Sequence, residues 1–435
     1  MDLMFGNSVP VSGQDMYKWC AELFPINRSI TGAGVRETLS YIRDLIPDLS
    51  ILEVNSGTKA FDWVVPEEWN VSQAYIRDLN GNTLVDFKDN NLHLVSYSIP
   101  QDRIIGRDEL EEHLFSLEDQ PDAIPYVTSY YSPNWGFCLS HNSRMDLPPG
   151  PFSIFINSTL EPGVLNYGEL LIKGESEEEI LLTTYVCHPS MANNELSGPS
   201  VLTKLALELQ KMDKRKYSYR ILFLVETIGS IYYISQHLDE LQKNVKAGFV
   251  VTCVGDNLVH SYVPTRCGNS LTDRVAEHVL RSVSGEVKIY SWLDRGSDER
   301  QFNAPGVDLP IGSLMRSKYG EYPEYHTSLD DMNFISEEGL AGGFQILWRA
   351  INILEQNGYF RINIACEPQL GKHGLYPNTS IKSNFESVQN RMNVISYLDG
   401  KIDLLEVAKK CYIDFEEVLH VVRELEELKL IEKVR

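Results

Sequence analysis

An apolar run ends in a polar turn within residues 180–198, ILLTTYVCHPSMANNELSG, and the turn carries His188, Asn194 and Glu195. Two later runs end in the same way: YRILFLV is followed at once by Glu226, and GFVVTCV by Gly255 and Asp256. After a polar segment comes a second histidine turn, Tyr325-His326-Thr327-Ser328-Leu329-Asp330-Asp331. Imidazole and carboxylate are the groups that bind Zn²⁺ in catalytic sites, so these side chains could converge on one or two ions. No single piece is specific, since a lone histidine after a strand is more often structural. Cys187 and Cys253 lie inside the apolar runs and read as small core residues rather than soft ligands.

The elements that must position these groups follow from the same pattern. Ile180 to Val186 is short and rich in β-branched residues, as in a buried strand, and an acidic run of Glu175, Glu177, Glu178 and Glu179 precedes it. Beyond Ser197 and Gly198, Leu202, Leu205, Ala206 and Leu209 recur at helical spacing. The histidine turn therefore falls between the carboxyl end of a strand and a helix, where open α/β sheets bind ligands. Strands at FSIFIN, GELLIKG, ILLTTYV, YRILFLV and GFVVTCV alternate with helices near 198–212, 229–243 and 269–282, and a last helix spans about 335–356. That alternation predicts an α/β core from Phe152 to Phe360.

Ahead of the core, Met16, Trp19, Cys20, Leu23 and Phe24 share one helical face, and Val35, Leu39, Ile42 and Leu45 share another. The turn between them holds Arg28, Ser29 and Thr31, which read as a capping turn rather than a substrate contact. From about Val54 the sequence alternates apolar and polar residues, with an Asn80-Gly81 hairpin signal. The aromatics Tyr126, Tyr130, Tyr131, Trp135 and Phe137 follow, read chiefly as packing and alternatively as a substrate platform. After a breaker at Tyr376-Pro377-Asn378, helices are predicted near 384–398, 403–411 and 414–428, with a short strand at Leu430–Val434. This order resembles a winged helix. Its third helix is rich in glutamate, whereas a DNA reader needs Lys or Arg facing phosphates, so protein contact is the expected use.

Composition limits the function classes. The chain has 435 residues, 43% of them hydrophobic, enough for two or three domains with a substantial core. A formal charge of −22 argues against nucleic acid and anionic membrane as partners. Seven cysteines, an odd number without close pairing, point to a reducing compartment. The first residues lack the basic and apolar regions of a signal peptide, and no run of about 18 apolar residues occurs, so a cytoplasmic location is expected. Neither a Gly-x-Ser-x-Gly elbow nor a phosphate-cradling loop appears.

Taken together, CHPSMANNELSGPS, ETIGS, RGSDERQFNAPGVDLP and YGEYPEYHTSLDD resemble the co-catalytic zinc aminopeptidases. More closely, nearly the whole chain resembles a family of aminopeptidase-like proteins with an inserted β-rich domain and a C-terminal winged helix. The resemblance implies an α/β core with a mixed central sheet over 1–53 and 150–365, an insert over 54–149 that covers the site, and a winged helix over 366–435. It places His188 and Asp256 on one metal, His326 on the second, and Glu226 as general base or neighbouring ligand.

Two departures stand out. Related aminopeptidases have two successive glutamates where this chain has Glu226 between Val225 and Thr227. The bridging aspartate, four positions before the glycine, is replaced by Asn194, a neutral amide that bridges two cations poorly. One dominant zinc is therefore expected, with a second site or a bridging role for Glu195 as alternatives. An Asn194→Asp change would be expected to strengthen the second site. Tyr325 is a candidate oxyanion donor, Arg316 a candidate holder of a substrate carboxylate, Asp298 a support for a ligand histidine, and Asp330 and Asp331 caps for the next segment. The function expected is a zinc-dependent amide hydrolase acting on a small substrate, a peptide or acylated amine. The alternatives are a metal-binding scaffold without hydrolysis, or a winged-helix regulator with a sensor core.

Overall fold

The computed structural model describes residues 12–375 and 382–434, so the breaker at Tyr376-Pro377-Asn378 lies outside the described residues. The core is an eight-stranded mixed sheet built from β1 (Ser50–Asn55), β2 (Val164–Ile172), β3 (Glu179–Tyr185), β4 (Ser218–Leu224), β5 (Val245–Val250), β6 (His260–Val263), β7 (Val287–Ile289) and β8 (Ile311–Met315). Their spatial order is β1-β2-β4-β3-β5-β8-β6-β7. The central strands β4, β3, β5 and β8 run parallel, and β1 and β2 join antiparallel. Every residue of β3 and β4 is buried, which explains why both read as unbroken apolar runs.

The chain leaves β3 for β4 on one side and then crosses to β5 on the other. This reversal opens a crevice at the carboxyl ends of β3 and β5, and His188, Glu226 and Asp256 follow the ends of β3, β4 and β5. The helices Ser197–Lys211 (after β3) and Ile228–Asn244 (after β4) form close to where the spacing put them. Gly198 is required where the first of these meets the sheet. A Cβ there would lie 2.3 Å from the Val251 carbonyl oxygen and 2.5 Å from Thr184 Oγ1.

The acidic run ahead of β3 is not wholly solvated. Glu179 is buried and forms a two-pronged pair with Arg220 of β4 at 2.6 and 2.9 Å, and Arg220 also reaches Glu169 of β2 at 2.8 Å. One guanidinium thus ties three adjacent strands through charge-assisted hydrogen bonds.

A separate four-stranded antiparallel sheet is formed by Glu68–Asp78, Thr83–Asp86, Gln101–Ile105 and Phe152–Glu161. The Asn80-Gly81 turn forms as expected: Gly81 has φ +88°, and the Asp78 carboxylate accepts from the backbone of Asn80 and Asn82 at 2.9 and 2.8 Å. Phe152–Glu161, expected among the core strands, pairs here instead with Glu68–Asp78 along ten residue pairs. Its alternating burial suits a sheet covered on one face better than the doubly buried core.

The chain divides into two compact units at Thr272/Asp273, Ser284/Gly285 and Gln345/Ile346. The second unit contains a three-stranded sheet of Tyr359–Ile362, Asp399–Asp403 and Ile431–Lys433 and the helices Lys382–Tyr397, Leu404–Cys411 and Phe415–Glu427. Leu404, Leu405, Val407, Phe415, Val418, Val422 and Leu425 are buried. The first strand of this sheet begins well before residue 366 and was not visible as a pattern. All seven cysteines are free, four of them buried. No helix among the described residues is long and apolar enough to cross a membrane.

Candidate active site

His188 follows β3, and its ring is held at one nitrogen and faces a carboxylate with the other. Nδ1 lies 2.9 Å from Glu195 Oε2, and Nε2 lies 3.7 Å from Glu226 Oε2. Glu195 belongs to a π-helical turn, Ala192–Leu196, that opens the helix Ser197–Lys211. The Asp330 carboxylate holds this turn by accepting from the Asn193 and Asn194 backbone at 2.6 and 2.9 Å. Asp330 thus caps a turn far away in sequence rather than the segment that follows it, whereas Asp331 does cap its own, accepting from Asn333 N at 2.8 Å. Burial works to lower the His188 pKa, but the hydrogen bond and charge of Glu195, aided by Glu226, hold it above the ordinary value.

Beneath this pair lies Arg28, with 0% exposure. Its Nε donates to the His188 carbonyl oxygen at 2.9 Å and lies 3.4 Å from Glu195 Oε1, while Nη1 donates to the Leu23 carbonyl at 2.8 Å. Read from sequence as part of a capping turn, Arg28 is instead a buried cation that neutralises Glu195.

Glu226 leaves β4 through a strained turn. Thr227 has φ 65° and ψ −76°, and the Ile228 N–H donates to the Glu226 carbonyl at 2.8 Å, which makes a γ-turn of the rare hand. Asp298 holds it, accepting from Thr227 N and Ser230 Oγ, both at 2.8 Å. Asp298 therefore supports this turn and not a histidine, the role filled by Glu195. Burial, and then the charge of Glu226, push the Asp298 carboxyl up to about 7. Ser297 Oγ donates to Glu226 Oε1 at 3.0 Å. Burial raises the Glu226 carboxyl above its ordinary range despite the opposing charges of His188 and Arg300.

His326 sits at φ 55° with its ring 5.5 Å from that of His188 between centroids. Its Nε2 is buried without a hydrogen-bond partner, and burial, then His188, depress its pKa to about 3, so the ring is neutral. Tyr325 stacks on it at 3.9 Å and packs against the buried cluster of Cys253, Val263, Met315, Tyr319 and Tyr322. From the β-rich segment, Tyr126 N donates to the His326 carbonyl at 2.9 Å, and the Tyr126 ring meets both histidine rings at 5.3 and 5.2 Å.

His188, Glu226 and His326 line a pocket of about 450 Å³ together with Thr227, Arg300, Trp63, Tyr126, Tyr130 and Tyr131. The aromatic cluster thus divides: three tyrosines face the pocket, while Trp135 and Phe137 are buried core. The other sequence candidates lie elsewhere. Asn194 donates through Nδ2 to Tyr185 OH at 2.9 Å, and its Oδ1 has no partner. Asp256 accepts four hydrogen bonds, from Ser317 N, Ser317 Oγ, Leu258 N and Asn193 Nδ2, at 2.7–3.0 Å. Arg316 is turned toward the Asp256 carbonyl and His260. Trp63 carried no motif that would have singled it out, whereas Arg300 lies in the RGSDERQFNAPGVDLP stretch, two residues after Asp298.

The donor set can accept a metal ion. A carboxylate on one nitrogen of a ligand histidine is the usual partner in such sites, and Glu195 on Nδ1 leaves Nε2 of His188 for the ion. The unpartnered Nε2 of His326 is the kind of buried orphan that a metal relieves. Ligand atoms of Cys187, His188 and Glu195 also lie within 4.8 Å of one another. Arg28 already places a positive charge on that side, which disfavours a dication there.

Comparison with known proteins adds the following. Residues 17–357 match the family described as a domain of unknown function, DUF4910, and residues 358–433 match a winged helix-turn-helix. A Clostridium acetobutylicum protein, provisionally named as a polysaccharide biosynthesis protein with an aminopeptidase-like domain, is 46% identical over 425 residues, covering 97% of each chain. The crystal structure of a provisionally named peptidase from Clostridium acetobutylicum superposes with a TM-score of 0.92 at 45% identity, over 97% of this chain and 96% of that one. A zinc aminopeptidase from Bacillus subtilis shares the fold at a TM-score of 0.58 and 14% identity, over 80% of this chain and 96% of that one.

Proposed function

Because the chain belongs to the DUF4910 family and has an aminopeptidase-like fold followed by a winged helix, we propose that it is a zinc-dependent hydrolase of an amide bond in a small substrate. The observation that carries this reading is the buried, unpartnered Nε2 of His326 in the same pocket as Nε2 of His188 and the carboxylate of Glu226. Neutral imidazole is a ligand that catalytic zinc takes, and Glu226 stands beside the two histidines as the proton acceptor rather than as a third ligand. Bound there, Zn²⁺ would acidify water and polarise the scissile carbonyl.

The chain's own groups supply the rest. Glu195 fixes the tautomer and direction of His188, and Tyr325 fixes His326 by stacking. Glu226 is the carboxylate lining the pocket, so the proton surrendered by attacking water falls to it, and burial, which favours its protonated form, suits it to pass that proton on to the leaving amine. Tyr126, Tyr130 and Trp63 form a wall that excludes water and offers flat faces to a substrate ring. The relative's name in polysaccharide biosynthesis favours an acylated amino sugar over a peptide.

Asn194 and Asp256 favour a second reading, a metal-binding protein with little or no hydrolysis. Asp256 is saturated by four donors and Asn194 is uncharged, so neither adds a second ion. The winged helix fits a protein partner better than DNA, because Phe415–Glu427 exposes Glu426 and Glu427 and pairs Glu424 with Arg391. The deciding experiment is zinc analysis of the purified protein alongside a panel of aminoacyl and acylated-sugar amides. Metal-bound protein that hydrolyses none of them supports the second reading, and metal-free protein indifferent to added zinc removes both.

A further inference from the structure

The pocket holds a cation that the reaction proposed above does not use. Arg300, on the short helix Glu299–Phe302, lines the pocket with His188, Glu226 and His326. One edge of its guanidinium is anchored, Nη2 donating to Thr227 Oγ1 at 2.7 Å. Its Nε is buried and makes no hydrogen bond. Among the described residues no carboxylate lies within ion-pair distance of it, Glu226 and Asp298 feeling its charge only from further away, whereas Arg107, Arg274 and Arg391 each have a paired acidic partner in a chain of formal charge −22.

A buried guanidinium N–H without a partner is unfavourable, and the Arg300 side chain that carries it lines a pocket where a ligand can complete the group. The anchor is itself built with care. Thr227 is held in its strained γ-turn by Asp298, and that turn presents Oγ1 to Arg300. The wall around it is aromatic, with Trp63 and Tyr131 in edge contact at 6.0 Å and Tyr126 hydrogen-bonded to Tyr130 at 2.8 Å.

We infer that Arg300 is a specificity residue that recognises a carboxylate on the substrate, so that the pocket selects small amides carrying both an anionic group and a flat ring. The identification of the pocket as the substrate site rests on the function proposed above, but recognition of the anion does not require the metal. A planar carboxylate matches the fork geometry of a guanidinium, and the aromatic wall accepts the ring.

The test uses hippurate and its neutral isostere hippuramide, which share ring and amide and differ in one charge. Titrations followed by ligand-observed NMR are run on full-length protein treated with chelator, so that no metal-bound carboxylate contributes. The wild type should bind hippurate about tenfold more tightly than hippuramide, as one charge-assisted contact requires. Arg300→Gln should erase the preference, and Arg300→Lys, which keeps the charge without the fork, should retain part of it. Thermal melts of both variants establish that they fold, and added salt should weaken hippurate binding in the wild type alone among these two ligands. Equal binding of the two probes, no hippurate binding, or a preference that survives Arg300→Gln would each overturn the inference. A protein that takes up no zinc yet prefers hippurate would overturn the hydrolase reading and leave this one standing.

Discussion

Glu195 faces Nδ1 of His188 at 2.9 Å with one carboxylate oxygen and the Arg28 guanidinium at 3.4 Å with the other. A single buried carboxylate thus links the His188 imidazole to a fixed cation. Glu195→Gln keeps the shape and removes the charge. Zinc affinity measured by chelator competition should fall about 10–100-fold, as for other losses of a ligand's carboxylate partner. Thermal stability should fall as well, by roughly 3–5 kcal/mol, because Arg28 is left buried without a counter-ion. Unchanged affinity would show that His188 does not need this partner.

Zinc stoichiometry separates one centre from two. Calorimetric titration of metal-free protein should give one site per chain. Asn194→Asp restores a charge near β3, but Asp256 would have to release four donors before it could share a second ion, so the variant should also bind one. The sequence-based expectation of a second ion in this variant is therefore revised. Two tight sites in either protein would contradict the geometry.

Glu226→Gln should leave the fold intact and reduce hydrolysis of any responsive amide by about 10²–10⁴-fold, the usual worth of a positioned proton acceptor. His326→Ala should instead release zinc. Residual full activity in Glu226→Gln would move the proton transfer to another group.

In the second unit, Arg274 forms a two-pronged pair with Asp403 at 3.0 and 2.7 Å, and Asp403 also accepts from Glu406 N and Asn357 Nδ2. Burial pushes the Asp403 carboxyl up, but these donors outweigh it and hold the group below the usual carboxylate range. A depressed folded-state pKa contributes stability above the unfolded value of about 3.9 and loses it as pH falls through the folded value. Asp403→Asn should therefore lower stability by on the order of 1–2 kcal/mol at pH 7, discounted for the partial exposure of Arg274, and the difference from the wild type should shrink as pH falls from the unfolded value of about 3.9 through the depressed folded one. A difference that stays constant down to pH 2 would exclude this origin.

The β-rich segment contributes Trp63, Tyr126, Tyr130 and Tyr131 to the pocket wall, which limits the size of what can enter. Short amides should be cleaved and long polypeptides should not be cut internally, as a gel assay with casein and a small acylated amide would show. Rapid internal cuts in casein would refute the restriction.

Much of this was legible in the sequence, and the parts that were not share a cause. The strands before His188 and Glu226 are buried on both faces, so their apolar runs announce them, and the C-terminal helices carry regular apolar faces. Asp256 also follows a strand, but its direction is set by Ser317, 61 residues away, and no local pattern records that. Arg28 looked like one residue of a polar turn because its partners, the His188 carbonyl and Glu195, lie more than a hundred residues on. Phe152–Glu161 alternates clearly enough to be read as a strand, yet which sheet it joins depends on Glu68–Asp78.

The backbone contact between the β-rich segment and the histidine turn also bears on how the protein reaches its working form. Ser328 N donates to the Ile124 carbonyl, Ile124 N to Ser328 Oγ, and Tyr126 N to the His326 carbonyl, joining stretches some 204 residues apart. Contacts of such large sequence separation form late, because long loops must close first. During refolding, tryptophan burial and sheet formation should run ahead of zinc retention, and a stalled intermediate would look nearly native by circular dichroism while releasing its ion. Capture of the proposed zinc would then serve as a clock for the last step of folding, read without any knowledge of the substrate.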